Sequence, residues 1–335
     1  LLGGFADRHP QIPLRRIVVL SLGLSLAAAL VFLLVPLGFG GTALVLAVMG
    51  GLELSSYPLM DSMAIQFINA GMPIRYSLGR GIGSMAYALC CAALGWQVGR
   101  FGVESTLYTH AVLLAAEILL VASFPPFRGA AGDSVRPRPT HSALWLLRRN
   151  PSFSLMLLAI LLGLTGCLPL SNFLLQVVTS RGGTEGDLGL VLFVMGAFEL
   201  PTAFFFQRLY RRLGGGRLLL VSLFFCLAKA AALFVSGSLT GVLLAQPLQM
   251  LGYGLFTPTS VYYVNDSVPL EDQVKGQTLM MVASNGLGGV LGSFFAGQTL
   301  ELGGPNGMLL FCVASCGAGV LLGASSLRLA RRRAS

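Results

Sequence analysis

The sequence predicts an all-α, multi-pass membrane protein built as two helical bundles. Three observations carry this. Of its 335 residues 55% are hydrophobic and only 10% charged, against about 25% charged in soluble domains. The mean hydropathy is +0.78. The apolar residues fall in runs of bilayer length, and most of the basic residues sit in the connections between alternate runs.

A spanning helix needs about 20 predominantly apolar residues. Ten such runs follow in order: Ile17–Pro36, Thr42–Ile65, Leu78–Val98, Leu107–Phe124, Phe153–Val178, Leu188–Phe206, Leu218–Val235, Gly241–Val264, Thr278–Leu300 and Met308–Leu327. One set of connections carries Arg15 and Arg16, Arg75, Arg128 to Arg149, Arg208 to Arg217, Lys275, and the terminal Arg328 to Arg333. The other set carries only Arg100 and Arg181. Basic residues collect in cytoplasmic loops, so both ends of the chain are expected in the cytoplasm, and the location expected is a bacterial inner membrane. The Pro-, Arg- and Gly-rich connection divides a first bundle of four helices (1–127) from a second of six (151–335), with 128–150 as a cytoplasmic linker; Trp145 is placed at the membrane interface. The chain opens Leu1-Leu2-Gly3-Gly4 without Met or a signal-peptide pattern, which reads as an N-terminal truncation.

Composition also excludes several classes. The net charge of +9 follows membrane topology rather than a nucleic-acid groove. The six cysteines lie in apolar runs without CxxC spacing and are expected as small buried hydrophobes. There is no Walker loop, no HExxH and no compelling nucleophile–base set, so no enzyme, no ATP-driven pump, no metal site and no cofactor are expected. The 43 glycines recur at close-packing spacings such as Gly288-x-x-x-Gly292, which let helices approach in lipid.

Charges retained inside the runs stand out, since each costs about 2.5–3.5 kcal/mol at a helix centre on insertion scales and so marks a partner or a wet cavity. Glu53, Tyr57 and Asp61 form one stripe. Arg80, Ser84 and Tyr87 share a face of the next run by their spacing of four and seven. Asp61 and Arg80 would offer complementary hydrogen bonding to a hydroxyl-rich solute, with Tyr87 as a stacking platform. The alternative for Asp61 and Arg80 is a place near the interface, where arginine snorkels at little cost. In the second bundle Glu199 precedes Pro201 and Lys229 is the only charge of its run. They are expected to act as a charge pair for proton coupling, or as a buried structural pair, with Glu53 as a further coupling candidate. Gln246, Gln249, Tyr253, Asn172 and Gln176 are expected to border the same cavity.

The segment Gly4-x-x-Asp7-Arg8 and its weaker echo from Phe206 to Arg217, containing Gly214, recur at corresponding places in the two halves, as in transporters built from repeated bundles. They resemble the loop motif of the major facilitator superfamily, Gly4, Asp7 and Arg8 being the conformational loop residues. The resemblance implies a twelve-helix fold of which the first two helices are absent. Within the superfamily the chain is most similar to the lactose permease and oligosaccharide:proton symporters and to the phenylpropionate permease-like group. Pro58-x-x-Asp61, Arg80 to Tyr87, Lys229 and Leu248-Gln249-Met250 stand where that group has sugar-binding and coupling residues. Gln249 replaces its coupling histidine, Gly252 its proton-bearing glutamate, and Asn285 a charged residue. The resemblance implies a monomeric secondary transporter moving a sugar or glycoside by proton symport, the proton being the coupling ion and the lipid bilayer the surroundings. Export of amphipathic or drug-like compounds is the alternative, and a non-transporting membrane sensor another.

Overall fold

The computed structural model describes residues 12–69, 71–72, 76–125, 142–269 and 272–334. They form helices and connections, with no strand among the described residues. Lipid offers backbone groups no hydrogen-bond partner, so a helix, which satisfies its own, is the form that spans.

Two compact units group by contact, residues 1–80 with 100–134, and 81–99 with 135–335. In the first, helix α1 (Leu14–Leu34) packs on α2 (Phe39–Asn69) and on α4 (Ser105–Ser123). Ile17, Val18, Leu22, Leu59, Met63 and Leu114 make its core. Arg15 closes one end by donating to the carbonyls of Ala122 and Phe124, the latter at 2.6 Å.

Helix α3 (Tyr76–Phe101) lies between the two stretches of the first unit in sequence, yet its residues 81–99 pack with the second. In the second unit follow α5 (Ala143–Arg149), α6 (Pro151–Cys167), the short α7 (Pro169–Asn172) and α8 (Leu174–Ser180), then α9 (Glu185–Leu213) and α10 (Gly215–Val235). Next come α11 (Leu239–Ala245), α12 (Leu248–Leu251), α13 (Tyr253–Ser267), α14 (Gln273–Met281), a π-helix (Val282–Gly288) and α15 (Gly289–Ala334). Each expected run is thus occupied by helix. Proline and glycine interrupt two of them, at Leu168–Phe173 and at Gln246–Gly252, and the glycine-rich Asn285-Gly286-Leu287-Gly288 stretch opens a third into π-turns.

By length and composition seven stretches among the described residues qualify as spans, one of them the 58-residue Lys275–Arg332. That stretch bends at Gly304, with φ of 63° and Pro305 beside it, where two runs were expected to part. Helices α3 and α9 hold Arg80 and Glu199. They meet each other on glycine: a Cβ at Gly189 would lie 2.4 Å from Gly95 Cα and 2.5 Å from the Cys91 carbonyl. Small residues let two backbones touch in this way, and this seam is why residues 81–99 group with the second unit and not with the rest of 1–127.

The core of the second unit is the seam of α6 on α15. A Cβ at Gly319 would come within 2.7 Å of Gly163 Cα, and one at Gly166 within 2.5 Å of the Cys312 carbonyl. Polar groups tie the seam across lipid depth: Ser315 Oγ donates to the Leu162 carbonyl at 2.6 Å and Ser326 Oγ to that of Ser152 at 2.7 Å. Ser315→Ala should cost about 0.6–1.7 kcal/mol, the range for such bonds in membranes, read as a lower unfolding midpoint in detergent. Five cysteines are buried as expected, while Cys90 is exposed.

Helix α9 begins with a capping box. The Thr184 hydroxyl accepts from the Asp187 N–H at 3.3 Å, and Asp187 Oδ2 accepts from the Thr184 N–H at 2.7 Å and its hydroxyl at 2.8 Å. The Thr184 backbone bond, and then its hydroxyl, hold the Asp187 carboxyl below its usual range. The cap is therefore at full strength above pH about 4, the unfolded value, and is lost as pH falls through the lowered native value. Thr184→Ala should cost about 1 kcal/mol, a thermal-shift difference at pH 6 that shrinks on acidification. At the other end Gly214, with φ of 74°, makes the turn into α10, and Tyr210 donates to Asp266 on α13.

Candidate functional site

The interruptions bring polar side chains together at mid-helix depth. Lys229 stands fifteen residues into the 21-residue α10 and is 1% exposed. Its Nζ donates to Gln249 Oε1 at 2.9 Å and lies 3.7 Å from the Met195 sulfur on α9. Gln249 belongs to α12, the single turn between two breaks, so its helix is held short where the lysine reaches it. One turn on, Tyr253 Oη donates to Asn285 Oδ1 at 3.3 Å, and Asn285 sits in the π-helix. Ser293, two turns further along that strand of helix, accepts from Asn172 Nδ2 at 3.3 Å. Beside Asn172, the Ser171 hydroxyl points at the Met195 sulfur at 4.0 Å.

Three polar pairs thus lie at the helix interruptions, Lys229 with Gln249, Tyr253 with Asn285 and Asn172 with Ser293, and the Met195 sulfur is near both Lys229 and Ser171. The lysine is buried, while Asn172 and Asn285 are exposed, so a desolvated charge and open donors and acceptors occur in the same set. Hydroxyls, amides and an ammonium in fixed positions can exchange hydrogen bonds with a polar solute stripped of water. Gln246 is fully buried with its Oε1 unsatisfied, and Gln176 Oε1 is likewise shielded without a partner.

Of the residues singled out from the sequence, Lys229 and Gln249 pair with each other, and Tyr253 and Asn172 each take a partner at an interruption. Those partners are Asn285 and Ser293, with Ser171 and Met195 nearby; Asn285 had been noted only as a lost charge, and the other three had not been noted. The Gly-rich stretch around Asn285 was the readable signal. Asp61 is half-buried on α2 and Tyr87 half-exposed on α3, the Tyr87 ring resting against Gly196 of α9. Gly4, Asp7 and Arg8 lie outside the described residues, as do the side chains of Arg80, Ser84 and Glu199.

Glu53 belongs to a separate cluster in the first unit. Its Oε1 accepts from Ser25 Oγ at 2.6 Å and lies 3.2 Å from His110 Nε2. Neither Ser25 nor His110 had been singled out. A histidine inside an apolar run, with Glu117 seven residues on along the same face, was the overlooked sign.

Helical spans, paired small-residue seams and polar pairs at broken helices define an all-α, multi-pass membrane protein. Comparison with known proteins agrees. A model of the MFS_1-like family matches residues 1–311, and the chain belongs to that family. It is 27% identical over 245 residues, 73% of its length, to a maltose permease of Geobacillus stearothermophilus, and spans 61% of that permease. Among solved structures, a point mutant of the nucleoside transporter NupG superposes with a TM-score of 0.80 at 16% identity, covering 98% of this chain and 85% of that one. A point mutant of the peptide transporter POT superposes at 0.71 and 13% identity, covering 96% and 80%.

Proposed function

We propose that this protein is a secondary transporter, not an enzyme, and that it moves a polar, hydroxyl-rich small molecule, a sugar or glycoside, across the bacterial inner membrane. The observation that carries the reading is the buried Lys229–Gln249 pair with the further polar pairs at three helix interruptions. Non-helical backbone at membrane depth is tolerated where it lines a cavity, and broken helices mark solute sites in transporters. The likeness to a maltose permease supports a saccharide; the structural neighbours support the fold alone.

Transport proceeds by alternating access with proton symport, both ends of the chain being cytoplasmic. Asp61, Arg80, Ser84 and Tyr87 contact the solute from residues before the linker, Gln249, Tyr253 and Asn172 from those after it. Lys229, with Glu199, changes partner as the solute enters, and Gln249 is the described group that releases it. Gly4, Asp7 and Arg8 govern the change of conformation. The protein acts as a monomer in the bilayer, without a cofactor.

The test is counterflow in membrane vesicles bearing the full-length protein, with radiolabelled maltose and with uridine as probes. Saturable maltose exchange is expected. Saturable uridine exchange without maltose exchange would overturn the saccharide assignment, and exchange of neither would count against it too. Glu199→Gln should abolish accumulation while sparing exchange; undiminished accumulation would remove Glu199 from coupling.

A further inference from the structure

We propose that Glu53 and His110 form a paired proton-binding site in the first unit. This deepens the symport reading and rests on it for what the proton drives, though the site itself stands on geometry alone.

Ser25 stands ten residues from Arg15 along α1, about 15 Å at 1.5 Å per residue, in the middle of a 21-residue helix. Its hydroxyl is fully buried, and it donates to Glu53 Oε1 at 2.6 Å, which fixes the carboxylate at mid-span. From α4, His110 Nε2 reaches the same oxygen at 3.2 Å; the nitrogen is shielded from solvent but is not aligned as a hydrogen bond. A carboxylate oxygen and a shielded imidazole nitrogen 3.2 Å apart, on side chains 27% and 37% exposed, are a site at which one proton can be held by either group.

The neighbours define its charge. On α1 the charged groups are Arg15 and Arg16, at the far end. On α2, Tyr57 and Asp61 continue the Glu53 stripe by one and two turns. On α4, Tyr108 is exposed and Glu117 lies within electrostatic reach of both Glu53 and His110. With one proton the pair is net neutral, whether written as carboxylate with imidazolium or as carboxylic acid with imidazole. Without it the pair carries −1 beside the acidic Glu117. Ser25 serves both forms, since a hydroxyl donates to a carboxylate and accepts from a carboxylic acid. The proton comes from water and returns to it, with no other bond made or broken. Histidine is the side chain whose ordinary titration lies in the physiological window, which suits a site that loads and unloads in the cell.

The test is infrared difference spectroscopy on the full-length protein in lipid, perfused between pH 8 and pH 5. Bands of Glu53 are identified by their loss in Glu53→Gln, and those of His110 by their loss in His110→Asn. In the parent both sets of bands should change over the same pH interval, and removing either group should move the interval over which the other's bands change. An unmoved transition in both variants would overturn the proposal, as would a His110 transition that moves in Glu117→Gln but not in Glu53→Gln. Should a charge variant fail to fold, Ser25→Ala keeps the charges and should shift the Glu53 carboxyl bands; unchanged bands would contradict the assignment. The readout needs no flux, so a failed transport assay leaves it intact.

Discussion

Lys229→Met should cut solute exchange at least about tenfold while leaving a folded, monodisperse protein. The ammonium is 1% exposed and donates to Gln249, and methionine fills nearly the same volume with no charge to desolvate. Hydrogen bonds to charged groups contribute about 1.5–3 kcal/mol, so losing one to the solute should weaken maltose binding roughly 10- to 150-fold. Lys229→Arg keeps the charge but has a broader head, and should retain part of the binding. Binding by calorimetry together with a thermal melt separates the outcomes. Unchanged affinity in Lys229→Met would make the lysine a packing residue, and collapse of both variants would make it a structural one.

The second large effect is on stability. Gly319→Val should destabilise the second unit by about 3 kcal/mol, the upper end of the overpacking range. Its Cβ would lie 2.7 Å from both Gly163 Cα and Gly163 N and 2.8 Å from the Ala159 carbonyl. All three are backbone atoms, so no side chain can move aside and the helices themselves must part. Two residues away on the same helix, a Cβ at Gly317 meets nothing within 4 Å. Gly317→Val is thus the matched control and should cost less than about 0.5 kcal/mol. Equal losses for the two, measured by unfolding in mixed micelles, would show that propensity and not the seam is decisive.

The contrast between those glycines shows what the sequence could convey. The ten runs were legible because lipid demands some 20 apolar residues in a row, and the structure fills each with helix. Close-packing glycines were recognisable as a class. Which of them touch was not, because Gly317 and Gly319 differ only in the face they present, and that is set by a partner 156 residues away. Residues 81–99 pack on α9 for the same reason, through Gly95 and Gly189. Around the site, Lys229 and Gln249 could be found as polar exceptions in apolar runs. Their contact depends on the break at Gln246–Gly252, which no periodicity announces. His110 was readable by the same rule that picked out Lys229, and its meaning came only when α1, α2 and α4 converged on it.

The central claim is that Lys229 and the polar pairs at the helix interruptions bind a transported polar solute. Its most direct measurement is labelled maltose counterflow in proteoliposomes of the full-length protein, parent against Lys229→Met. Saturable exchange by the parent and at least a tenfold loss in the variant is the expected result. Equal exchange in both, or none in the parent with either maltose or uridine, would contradict it.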